Sequence, residues 1–313
     1  MSTKKILGIS LAIAFIVSLF FLYPLGKDSL AVLSGYSAKS ICSCVFVAER
    51  ELQSALDQEL SSYGSVIDAE VNDEKKMVKV SAAGVERIAV FREGLGCTLI
   101  PMGQESLPEL KSFQAAALPL SDPDTLDWPM GDRDTLAFPA DVDKQKLETA
   151  LDNIFTESNP ELLQNTRAAL VVYKDKIIGE RYAEGFDEDT RLRGWSMTKS
   201  VTNAFVGILA GQGKLRVDQQ APIPAWHGEN DPRSEITIDH LMRMSSGLDF
   251  EEVYDGATDA NRMLFLAEST ADFAIQSKLA HKPDTHWSYS SGTSNILSKI
   301  VRDQFENHND YLR

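Results

Sequence analysis

The chain has 313 residues, enough for one large domain or two ordinary ones, and its 43% hydrophobic and 25% charged residues are a globular composition. Forty-six acidic against 31 basic side chains leave a formal net charge of −15, a surface that repels phosphate backbones and argues against nucleic acid as a partner. No block of five or six like charges occurs, so the acidity reads as a solvated surface.

Lys4 and Lys5 precede ILGISLAIAFIVSLFFLYPL, residues 6–25. Twenty uncharged, mostly apolar residues in a helix span about 30 Å, the thickness of a bilayer's hydrocarbon layer. The run has no polar face and no small-x-small site after it, so an uncleaved anchor over residues 1–27 is expected in preference to a cleaved signal. The early lysines then stay in the cytoplasm and the rest lies outside it, in the periplasm of a Gram-negative cell. There a disulfide is permitted, pairing Cys97 with Cys42 or Cys44; the alternative is three buried thiols. CSC with one distant cysteine is not zinc-ligand spacing, and no metal or other cofactor is expected.

Residues 28–105 read as a small α/β leader. Leu52, Leu56 and Leu60 recur at four-residue steps in a helix over 46–63, stopped by Gly64. Three strand-like runs follow, SVIDAEV, MVKVSAA and RIAVFRE, the first two joined by the polar turn NDEKK. Residues 106–140 are rich in Pro, Gly and Asp and read as a connector. The remainder, 141–313, opens with a helix over 142–155 and a hairpin from 168 to 182. A helix then runs from Ser196 to about Gly211, with Val201, Phe205, Ile208 and Leu209 on one face. A short helix from Ile238 to about Met244 ends at SSG, and a last helix covers roughly Thr293 to Phe305.

Ser196 and Lys199 stand three apart at a helix start, where residues i and i+3 share a face. An uncharged lysine amine there can take the serine proton, with Trp195 sheltering the pair, and helix-start N–H groups can receive an oxyanion. The spacing alone is weak: Ser2 and Lys5 share it, and a serine capping a helix beside a solvated lysine explains it too. Tyr289-Ser290-Ser291, just before the last helix, adds a phenol that can relay a proton and a hydroxyl that can hold the lysine or the substrate.

SMTK (196–199), ITIDHLMRMSSGLDF (236–250) and WSYSSG (287–292) together resemble the serine β-lactamase and penicillin-binding superfamily, over about residues 140–313. The likeness is greatest to the class C-type branch that holds esterases and 6-aminohexanoate-dimer hydrolases. AKSICSCVFVAER and GLGCTL resemble the leader of some bacterial members. The resemblance implies an α+β fold: an antiparallel sheet flanked by helices, with a mostly helical subdomain, here preceded by the leader and a transmembrane helix. It makes Ser196 the acylated nucleophile, Lys199 its base and Tyr289 the proton relay, with Ser291 where many lactamases carry Asn. That change favours amide, ester or peptide-like substrates of other shape than a β-lactam. The family's Lys-or-His-Thr-Gly strand is not found in the 22 residues after Ser291, which suggests a truncated sheet, one oxyanion donor fewer and weak activity.

The rivals are weaker. GWSMT misses G-x-S-x-G by one residue, and His281 and His286 are the bases a Ser-His-Asp hydrolase would use. The histidines show no paired metal-ligand spacing. A penicillin-binding, DD-peptidase-type enzyme or a membrane-tethered, non-catalytic binder of cell-wall peptides remains as the alternative.

Overall fold

The computed structural model describes residues 26–104, 106–107, 122–161 and 163–306. The anchor expected over 1–27 lies outside them except for Gly26 and Lys27. The chain gathers into two compact units, one joining Met1–Gln114 to Arg193–Arg313, the other Ala115–Leu192. The leader is thus grouped with the Ser196 region, whereas the sequence suggests four serial segments.

The first unit begins with a helix that the sequence reading did not foresee, α1 (Gly26–Phe46). Its inward face repeats at helical spacing but is built from small residues: Ala31, Ser34, Gly35, Ala38, Ile41 and Cys42. Small side chains permit close approach. A Cβ on Gly35 would stand 3.4 Å from Phe265 and 3.5 Å from Leu99. Ser34 Oγ donates to the carbonyls of Leu30 and Val85, at 2.8 and 2.7 Å. By length and composition α1 could cross a membrane, yet over half of its apolar window is buried inside the protein.

The next helix is shorter than expected: α2 (Leu52–Glu59) rather than 46–63. Residues 47–51 instead turn the chain, with Glu49 at φ 53°. Four strands follow in sequence order as an antiparallel meander: β1 (Ile67–Asn72), β2 (Met77–Ala82), β3 (Val85–Arg92) and β4 (Gly96–Leu99). The first three match the expected runs; β4 is additional. Period-two alternation turns Val78, Val80 and Ala82 of β2 inward, against Ile41, Leu60 and Ala89. Cys97 of β4 is bonded to Cys42 of α1, which settles the pairing, while Cys44 is buried with its sulfur 3.7 Å from Arg50 Nη1. The crosslink spans 55 residues, and Cys42→Ser should lower stability by about 2–4 kcal/mol. Denaturant melts of this variant and the parent, with and without reductant, check this: reductant should destabilise only the parent.

The rest of this unit is helical: α4 (Thr198–Gly211), α5 (Ile238–Met242), α6 (Asp259–Phe265), α7 (Thr270–Ile275) and α8 (Ser291–Arg302). Its core holds Trp226, Ile236, Leu241, Met263, Ile296 and Ile300, and the buried Trp226 indole donates to Ile275 O at 3.1 Å. Thr237 and His240 close a capping box at the start of α5. Ser290 caps α8 through Thr293 N–H. Buried Arg87 of β3 donates to Phe265 O at 2.5 Å and Ile100 O at 3.2 Å, tying the sheet to the end of α6. Arg262 pairs with Asp28 at 2.7 Å, and Arg193 reaches Ser40 Oγ at 2.8 Å and the Glu59 carboxylate.

The second unit packs α3 (Lys144–Phe155) on the hairpin β5 (Ala168–Tyr173) and β6 (Lys176–Tyr182), all three close to their expected places. Asp143 caps α3. Gly179 admits the helix, since a Cβ there would meet Leu151 at 3.0 Å. Lys174 and Asp175, both at positive φ, form the two-residue turn. Leu170 and Val172 stay exposed on β5.

Candidate active site

Ser196 sits in a short 3-10 turn, Trp195–Met197, two residues before α4 rather than inside it. It does not cap the helix; its hydroxyl is engaged elsewhere. Tyr289 Oη donates to Ser196 Oγ at 2.6 Å, and Lys199 Nζ lies 3.4 Å from the same oxygen. Lys199 also reaches Ser291 Oγ at 3.1 Å, and its ammonium end stands 4.9 Å from the centre of the Tyr289 ring. Lys199 and Tyr289 therefore converge on the Ser196 hydroxyl from two chain segments, with Ser291 behind the lysine.

Each is held by its local structure. Trp195 takes φ 41°, a left-handed conformation that costs a non-glycine residue about 1–3 kcal/mol and sets the Ser196 turn off from the helix. Ser290, as N-cap of α8, fixes Tyr289 just before the helix and Ser291 at its first residue. Gly292 leaves room for Phe250, whose ring a Cβ there would meet at 2.8 Å. Trp195 was expected to shelter the pair. It is instead 56% exposed, with the Arg193 guanidinium 5.5 Å from its ring, and the ring beside Lys199 is that of Tyr289.

Two residues escaped the sequence reading. Glu252 accepts from Ser291 N–H at 2.7 Å and from Ser291 Oγ at 2.5 Å, placing a carboxylate at the start of α8, where the helix dipole favours it. Tyr254 Oη lies 2.5 Å from Glu252 and 3.1 Å from Ser291 Oγ. Partial burial, and then the neighbouring carboxylate, push the Tyr254 phenol up to about 12. Because this value exceeds that of an unfolded tyrosine, the stability held by the protonated phenol is complete below pH 10 and is lost as pH rises towards 12. A spectrophotometric titration should show one late-ionising phenol fewer in Tyr254→Phe, the Tyr182 phenol, pushed up to about 12 by its hydrogen bond to Glu180, remaining in both. Loss of an early-ionising one instead would contradict the assignment.

His281 and His286 stack on each other at 4.2 Å. Among the described residues, Ser196 Oγ is bonded by Lys199 and Tyr289, with no imidazole. No group of three or more His, Cys, Asp or Glu side chains suited to a metal is found among the described residues.

Residues 162–308 match the beta-lactamase family model. That stretch, just under half of the chain, is similar to the beta-lactamase family. A solved structure from Bacillus anthracis, described provisionally as a 6-aminohexanoate-dimer hydrolase, is similar at 20% identity with a TM-score of 0.40. The similarity covers 51% of this chain and 43% of that one, so the chain spans under half the length of that protein. No curated protein matches the chain. The beta-lactamase-type stretch contains Ser196, Lys199, Tyr289 and Ser291, together with Glu252 and Tyr254. The α+β architecture of helices and antiparallel sheets is the expected fold class, and a hydrolase is the general function the family supports.

Proposed function

We propose that the chain hydrolyses an amide or ester through a covalent acyl-enzyme on Ser196. The observation that carries this is the pair of contacts on one hydroxyl, Tyr289 at 2.6 Å and Lys199 at 3.4 Å. Lys199, acting with Tyr289, takes the Ser196 proton as Oγ bonds to the substrate carbonyl carbon. The carbonyl oxygen gains the electron pair. When the carbon–leaving-group bond breaks, Tyr289 returns the proton to the departing amine or alcohol. Water then enters the same steps in reverse roles and releases the acid. Ser291, itself held by Glu252, keeps Lys199 in reach of the nucleophile.

The disulfide between Cys42 and Cys97 supports a location outside the cytoplasm, with residues 1–27 as the anchor. The test is incubation of the purified chain with a fluorophosphonate probe, followed by peptide mass spectrometry. An adduct on Ser196 is expected. A folded protein that takes up no probe overturns the hydrolase reading and supports the binding of cell-wall peptides instead.

A further inference from the structure

A cavity of about 560 Å³ adjoins Ser196, within the size range of small-molecule sites. Its lining includes Trp195, Ser196 and Tyr289 from the site already described. It also includes Val32, Leu33 and Tyr36, which belong to α1, outside the family stretch of 162–308. Leu264 and Phe265 of α6 complete an apolar section. Tyr36 is fixed there by edge-on contacts with Tyr63 at 6.4 Å and Phe265 at 5.7 Å between ring centres. The Ser34 and Arg87 hydrogen bonds hold α1, the sheet and α6 together behind this wall.

The charge of the lining is equally specific. Among the described residues that line it, Asp255 is the one charged side chain, with no lysine or arginine. An apolar group entering the section lined by α1 and α6 gains by leaving water, whereas a carboxylate there would lose hydration among apolar side chains and share the cavity with Asp255.

We infer that α1 supplies a substrate subsite: Val32, Leu33 and Tyr36 receive an alkyl or aryl group, free of carboxylate, of the amide or ester attacked by Ser196. This deepens the Ser196 reading and rests on it. The segment before the family stretch is then a specificity-determining part of the site rather than a spacer.

The experiment compares second-order labelling rates of the full chain by methyl, hexyl and 5-carboxypentyl fluorophosphonates. Hexyl should exceed methyl by about tenfold or more, and 5-carboxypentyl should fall below hexyl by a similar factor. Leu33→Trp, which fills the cavity, should cut the hexyl-to-methyl ratio about tenfold. Leu33→Ala, which enlarges it, provides a second reading if the tryptophan variant does not fold, and should move the preferred alkyl chain to greater length. Equal rates for the three probes, or a ratio unchanged in the folded Leu33 variants, would overturn the subsite while leaving the Ser196 reading intact. No labelling by any probe would overturn both.

Discussion

Ser196→Ala should abolish fluorophosphonate labelling and reduce ester hydrolysis by about a thousandfold or more, to the background of the solution reaction. The argument is geometric. Both Lys199 and Tyr289 aim at the Ser196 oxygen, so its removal leaves the proton-transfer groups without an acceptor for the acyl group. Ser196 is exposed in a turn, so the variant should melt with the parent protein. Tyr289→Phe should lose about a hundredfold to ten-thousandfold in kcat, the usual worth of a placed acid or base. His286→Ala should stay close to the parent, since the His286 ring packs on His281. Persistence of the adduct in Ser196→Ala would place the nucleophile elsewhere and end this mechanism.

Gly247→Ala should cost about 4 kcal/mol of stability and depress labelling of Ser196 as well. Gly247 has φ 77°, a region strained for any residue with a Cβ, and that Cβ would stand 2.1 Å from the backbone oxygen of His281. The neighbour cannot yield easily, because Gly247 O accepts from Ala280 N–H at 2.9 Å and His281 N–H at 3.1 Å. The same turn holds the segment that leads to Tyr289: Asp284 N–H donates to Ser245 O, and Ser288 N–H to Met244 O, both at 2.9 Å. Displacing Gly247 therefore disturbs the approach to the phenol. A denaturant melt and a labelling rate, measured on the same preparation, should fall together. A variant with unchanged melt would mean that the turn relaxes without strain.

What the sequence made legible follows from how much pattern each element carries. β2 alternates apolar and polar residues from Val78 to Ala82, β3 carries the apolar run Ile88 to Phe91, and α8 has an apolar face of Ile296, Leu297, Ile300 and Val301, so all three are written in their patterns. The meeting of Ser196, Lys199, Tyr289 and Ser291 was legible because S-x-x-K and Y-S-S are rare in combination, although neither is specific alone. α1 escaped because its inward face is made of Ala, Ser and Gly, which carry little hydropathy signal. β4 is four residues long and gave none. Glu252 and Tyr254 lie in an irregular stretch, where a carboxylate has no spacing to betray its partner. The grouping of the leader with the Ser196 region depends on contacts such as Arg87 with Phe265, which join distant residues and leave no local trace.

The Arg87 bond has a consequence for how the chain comes into being. The guanidinium and the carbonyl it binds are 178 residues apart. At about 5–20 residues per second, the ribosome presents the second partner roughly ten to thirty-five seconds after the first. Throughout that interval the Arg87 guanidinium has its near partner, Ile100 O, but lacks the distant carbonyl that it binds in the finished fold. Completion of this unit therefore waits until Phe265 has left the ribosome, and a holding chaperone has a defined window in which to act.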